Sequence, residues 1–215
     1  MAIIQLGAQQ YTANNIFCVA RNYLAHAKEM GSVIAEEPMF FIKPNSAVLQ
    51  SGEAIVLPSW SRDVHHELEL LVLIGRGGRQ IAEADALNHV AGYALGLDLT
   101  ARDVQAQAKK AGNPWTLAKG FDGAAVMTRF VAAEGLDPAN QVFTLAINGQ
   151  LRQAANTQDM AFSVAQLIAW LSGKFTLQPG DLIYTGTPEG VGPIVAGDVL
   201  TLNWPGLVQE SFAVV

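Results

Sequence analysis

Cysteine is nearly absent from this chain and charge is sparse: 215 residues include one cysteine, Cys18, and only 15% Asp, Glu, Lys and Arg. A single thiol cannot form an intramolecular disulfide. Cys18 lies inside an apolar run, so a buried packing role and a reducing compartment, the cytoplasm, are expected. Basic residues are the scarcer sign. A net charge of −6 and a pI near 5.1 argue against nucleic acid or an anionic membrane as partner. A run of about 18 or more apolar residues, as a membrane span requires, does not occur. The start, Met1–Gly7, has neither the cationic region nor the apolar core of a secretory signal. Half the residues are hydrophobic, which with so little charge predicts a homodimer that covers apolar surface. An anionic small substrate stays compatible, because a bound cation reverses the local potential.

The stretch Val64-His65-His66-Glu67-Leu68-Glu69-Leu70-Leu71-Val72-Leu73-Ile74 reads as one strand entering the core. Carboxylates two residues apart on a strand share a face, with Cα atoms about 7 Å apart, and can converge on one ion. Two like charges beside an apolar run are costly to bury without a cation between them. Glu67 and Glu69 thus point to a hard-metal site for magnesium, manganese or calcium. A solvated strand face fits the same pattern. Asp98 ends the apolar segment Gly92–Leu97 and supplies a third acid, although it also suits the cap of a following helix.

Along the chain, strands are expected at Ile3–Leu6, Ile16–Ala20, Pro38–Pro44, Ile55–Leu57, Val199–Trp204 and Glu210–Val214. A hairpin turns at Asn148-Gly149 within 142–153. Helices are expected over 21–31, 82–89, 101–111 with Thr100 as N-cap, and 163–171; Gly31–Glu37 reads as a flexible loop and 113–122 as an extended connection. In the first helix His26 and Glu29 stand at i and i+3, neighbours on one face. Such a pair orients an imidazole and raises its basicity, as a general base needs, and it is also an ordinary surface pair. Lys119 sits among small and apolar residues, either paired with a buried anion or snorkelling to the surface. The glycine-rich segment 184–193 can bring backbone N–H groups close to an anion. Many strands and about four helices predict a single α+β domain over 1–215 with mixed sheets.

In combination these pieces resemble the fumarylacetoacetate hydrolase family, in its short acylpyruvate hydrolase, oxaloacetate decarboxylase and oxaloacetate tautomerase members. The resemblance rests on Arg21-Asn22-Tyr23-x-x-His26-x-x-Glu29-Met30, Phe41-Ile42-Lys43-Pro44, His65-His66-Glu67-Leu68-Glu69-Leu70, Leu97–Gln105, Pro114-Trp115-Thr116-x-Ala118-Lys119 and Thr185-Gly186-Thr187-Pro188-x-Gly190-Val191-Gly192. It departs from the usual pattern at Ala20 and does not reach Ala132–Asn140. It implies a mixed β-roll with flanking helices, a homodimer, and Glu67, Glu69 and Asp98 as ligands of Mg²⁺, with Mn²⁺ or Ca²⁺ as substitutes. It further implies a catalytic group of His26, Glu29 and Lys119, the first two on a closing lid helix, with Arg21, Gln105 and Thr187 facing the substrate. The implied substrate is a small 2-oxo acid that chelates the ion and passes through a pyruvate enolate. Acylpyruvate hydrolysis, oxaloacetate decarboxylation and keto–enol tautomerisation all fit that enolate. A binding protein with a merely structural ion is the alternative of a different class.

Overall fold

The computed structural model describes residues 2–29, 31 and 35–215. Its centre is the strand Leu68–Ile74, buried at every position. A strand reads as a continuous apolar run when both of its faces are covered, and here it pairs antiparallel with Val90–Asp98 on one side and Leu182–Tyr184 on the other. The mixed sheet around it runs in the order Met39–Lys43, Ile16–Ala20, Leu182–Tyr184, Leu68–Ile74, Val90–Asp98, Ala125–Met127 and Val48–Leu49, with Val131–Ala132 also paired to Val90–Asp98. Two pairings are parallel, Ile16–Ala20 with Leu182–Tyr184 and Ala125–Met127 with Val48–Leu49. A second, antiparallel sheet of Gln150–Asn156, Val142–Ile147, Val199–Trp204 and Val208–Ala213 packs on the same core through Phe143, Leu145, Leu202 and Phe212. The fold is α+β, with few helices. Helix Val164–Lys174 starts at a capping box, in which Ser163 and Gln166 satisfy each other's free N–H groups.

Several expectations change. The segment 64–74 is two strands, Val64–His66 and Leu68–Ile74, broken at Glu67. Its first part pairs with Thr100–Ala101 and Gly192–Pro193, in a different sheet from its second. Thr100 is not the N-cap of Arg102–Ala111. Ala101 occupies that position, and the Thr100 hydroxyl donates to the carbonyl of Asp98 instead. The connection 113–122 contains a helical turn, Thr116–Lys119, with Trp115 at its N-cap. Ile55–Leu57 forms only a bridge from Ile55 to Val214, and the polar stretch before Asn15 holds a strand, Gln9–Thr12. The first helix is shorter than expected, Leu24–Glu29. Met30 and part of the expected Gly31–Glu37 loop, at 32–34, lie outside the described residues. Among the described residues no helix is long and apolar enough to cross a membrane.

Candidate metal centre and active site

Strand pairing brings the three acids together. Leu68 lies opposite Leu97 and Glu69 opposite Gly96, and the N–H of Asp98 donates to the carbonyl of Glu67 at 2.9 Å. The break at Glu67 and the end of the neighbouring strand at Asp98 therefore meet at one rim. Gly96, opposite Glu69, lets the strand Ala125–Met127 pack closely on the other side of Val90–Asp98, since a Cβ there would stand 2.4 Å from the carbonyl of Val126. One carboxylate oxygen from each of Glu67, Glu69 and Asp98 lies within 4.8 Å of the others, and all three residues are buried.

Cations surround this cluster. Nζ of Lys119 donates to Glu67 Oε2 and to Asp98 Oδ2, each at 2.7 Å, and also lies 5.1 Å from the centroid of the Phe41 ring. Arg102 donates to Glu67 Oε1 at 2.5 Å and to Gln105 Oε1 at 2.8 Å. Lys43, fully buried, places Nζ 2.7 Å from Asp98 Oδ1. Its Nζ also donates to the carbonyls of Leu99, Lys119 and Ala124, so four oxygens share one ammonium.

The electrostatics differ among the acids. Burial raises Glu67, but the ammonium of Lys119 and the guanidinium of Arg102 outweigh it and hold the carboxyl well below its usual range. Glu69 has no such partner. Burial, then repulsion from Asp98 and Glu67, push it well above the usual range, and the N–H of Gly186, donating to Oε2 at 2.7 Å, offsets only part. Burial lowers Lys119, yet Asp98 and Glu67 more than reverse this and keep the ammonium charged. Gly186 approaches so closely because it has φ +97° and no side chain; a Cβ would stand 2.7 Å from that of Asn22.

This donor set fits a hard divalent cation. It offers oxygen only, and it includes one carboxylate, Glu69, that burial and the neighbouring Asp98 and Glu67 disfavour as an anion. Three carboxylates face three cationic side chains, so the cluster is formally neutral, and a divalent ion leaves it dipositive.

The remaining candidates line one cavity of about 70 Å³ with the three acids: Arg21, His26, Gln105, Lys119 and Thr187. His26 is buried, and its Nδ1 lies 3.2 Å from Glu29 Oε2. Glu29 is more exposed and accepts the N–H of Gly190 at 3.2 Å, which ties the first helix to the loop carrying Thr187. Glu29 stands behind His26 and does not line the cavity. Arg21 holds a left-handed backbone, φ +61°, at the cavity wall, a conformation a non-glycine residue adopts at some cost. Lys43 and Arg102 also belong to this charge network and were not among the residues singled out from the sequence. For Arg102 the signal was available, since Arg102 and Gln105 stand at i and i+3 in the first turn after Asp98.

Comparison with known proteins agrees with this geometry. The family model described as fumarylacetoacetate (FAA) hydrolase C-terminal matches residues 15–215. The mitochondrial oxaloacetate tautomerase FAHD1 of Mus musculus is 47% identical over 201 residues, covering 93% of this chain and 91% of that protein. The oxaloacetate tautomerase YcgM of Escherichia coli K12 is 46% identical over 198 residues, covering 91% and 90%. The crystal structure of fumarylpyruvate hydrolase from Pseudomonas aeruginosa in complex with Mn²⁺ and pyruvate superposes with a TM-score of 0.94 at 37% identity, over 100% of this chain and 95% of that one. These relatives are enzymes, and the chain, with its mixed sheet and buried acidic triad, belongs to the fumarylacetoacetate hydrolase family.

Proposed function

We infer that this protein is a divalent-metal enzyme that interconverts the keto and enol forms of oxaloacetate or a closely similar small 2-oxo dicarboxylic acid. The observation that carries the reading is the neutral cluster of three buried carboxylates and three cations beside the His26–Glu29 pair. A divalent ion would make the cluster dipositive, and with Arg21 and Lys109 also in the cavity wall the site favours a dianionic acid. The tautomerase relatives also share more identity with this chain than the fumarylpyruvate hydrolase does.

Glu67, Glu69 and Asp98 would hold the ion, Mg²⁺ with Mn²⁺ as a substitute. When bound, it would act as a Lewis acid that polarises the 2-oxo oxygen of a chelating substrate. Lys119, held in the cavity wall by Glu67 and Asp98, adds a fixed positive charge where that oxygen becomes negative. Arg21, Gln105 and Thr187 bind and orient the carboxylates. His26, with Nδ1 turned to Glu29, presents Nε2 to take a proton from carbon three; a proton delivered to the 2-oxo oxygen completes the enol, and the reverse transfers regenerate the keto form. The same reading takes the protein as a cytoplasmic homodimer without nucleic-acid or membrane partners.

Acylpyruvate hydrolysis is the second reading, supported by the likeness to the fumarylpyruvate hydrolase. There His26 would take its proton from water, for attack on the acyl carbonyl. Oxaloacetate decarboxylation needs no such base. Purified protein with Mg²⁺ should be assayed side by side for loss of the enol absorbance of oxaloacetate, for carbon dioxide release and for cleavage of acetylpyruvate. Tautomerisation should have the largest kcat/KM. A larger value for either other reaction would reassign the protein to it.

A further inference from the structure

Gln153, at the middle of the strand Gln150–Asn156, is buried, lies on a strand outside the central sheet, and has all four hydrogen-bonding positions of its amide engaged near the site. Its Oε1 accepts the N–H of Leu68 at 2.9 Å and faces Nδ1 of His66 at 2.9 Å. Its Nε2 donates to Thr187 Oγ1 at 2.9 Å and to the carbonyl of Pro188 at 3.1 Å. Two backbone groups fix the sense of this amide. Leu68 N–H can only donate and the Pro188 carbonyl can only accept, so the oxygen faces the break beside Glu67 and the nitrogen faces the loop of Thr187. His66 must then carry its proton on Nδ1.

The consequence falls on Thr187. Its Oγ1 is occupied as an acceptor by Gln153, while its own hydrogen has no acceptor among the described residues, and Thr187 lines the cavity. We propose that Gln153 is a positioning residue that fixes the Thr187 hydroxyl as a donor into the cavity and, through Leu68, holds the strand break that presents Glu67. A hydroxyl left free to rotate offers an anion a donor only part of the time; one with its lone pair already engaged offers it in the ground state. The inference rests on the reading above in one respect, that the cavity takes a carboxylate.

The test uses Mn²⁺-loaded protein and oxalate as the probe, with Gln153→Glu, Thr187→Val, Thr187→Ser and the Gln153→Glu/Thr187→Val pair. Gln153→Glu keeps an acceptor for Leu68 but replaces the amide donor with an oxygen, so the Thr187 hydroxyl turns to donate to it. Oxalate should bind about tenfold more weakly, the loss expected for one hydrogen bond to a charged group. Mn²⁺ affinity should be unchanged, and the rise in KM should exceed any fall in kcat. Thr187→Val should show the same loss, Thr187→Ser should restore binding, and the double variant should be no worse than either single one. Wild-type oxalate affinity in Gln153→Glu, or losses that multiply in the double variant, would overturn the proposal. The nitrogen-15 shifts of His66 in the wild-type protein give a reading that depends on neither variant nor ligand. A proton on Nδ1 supports the amide orientation and a proton on Nε2 overturns it. Wild-type protein that binds no oxalate with Mn²⁺ would instead sink the functional reading and the ligand half of this inference, while the NMR result still decides the amide.

Discussion

Lys119→Met removes one ammonium from between two buried carboxylates and leaves a side chain of similar length. In the metal-free protein Lys119 makes hydrogen bonds of 2.7 Å to both Glu67 and Asp98. Its loss leaves two like charges close together, with Arg102 still on Glu67 and Lys43 still beside Asp98. The folded protein escapes that repulsion by taking up a proton. At pH 7.5, protonating a carboxyl of ordinary pKa costs about 4 kcal/mol, which caps the penalty. Breaking a buried ion pair costs about 3–5 kcal/mol, so the two routes agree on roughly 3 kcal/mol once the remaining cations are allowed for. For a chain of this size that is a fall in Tm of about 6–12 °C. The sign with pH follows from linkage. In the variant these carboxyls hold a proton more tightly folded than unfolded, so the penalty is absent below the ordinary carboxylate range and grows as pH rises through it. At pH 5 it should shrink to about 1 kcal/mol. The assay is urea unfolding of both proteins with chelator at pH 5 and pH 7.5, repeated with excess Mn²⁺ at pH 7.5. A divalent ion supplies the missing positive charge, so Mn²⁺ should recover most of the loss. Equal destabilisation at both pH values with no recovery by Mn²⁺ would mean that Lys119 contributes packing alone, and the charge argument would fail.

Glu69→Gln and Asp98→Asn should each abolish turnover with a cooperative melt retained, checked by metal content and circular dichroism; well-folded variants with bound metal and full activity would remove these acids from the ligand set. His26→Ala should slow oxaloacetate tautomerisation by about 10²–10⁴-fold, the usual contribution of a positioned base, and should leave oxaloacetate decarboxylation much less affected. Equal losses in both reactions would assign His26 to a step they share. Sedimentation at micromolar concentration should give a species of twice the 22.9 kDa chain mass; a single-chain species would refute the dimer.

Local pattern determined a good part of this protein. The Glu-x-Glu spacing of Glu67 and Glu69, the isolated acid Asp98 and the i, i+3 pair His26 and Glu29 each stand out within a few residues of sequence, and the structure places all five in or against a single site, with Glu67 at the break between two strands. The hairpin at Asn148-Gly149 and the helix opening at Ser163 were likewise fixed by residues within a few positions of each other. What only the tertiary structure decided is the partner of each buried polar group. Lys43 meets carbonyls 56, 76 and 81 positions away, and Gln153 meets residues 34 to 87 positions away. Nothing beside them in the chain marks them, because an amphipathic side chain looks the same whether it reaches water or a buried acceptor. The break at Glu67 was hidden for a related reason. A chain that leaves one sheet for another can stay extended and β-prone throughout, and only the strands paired with it on either side decide where it turns.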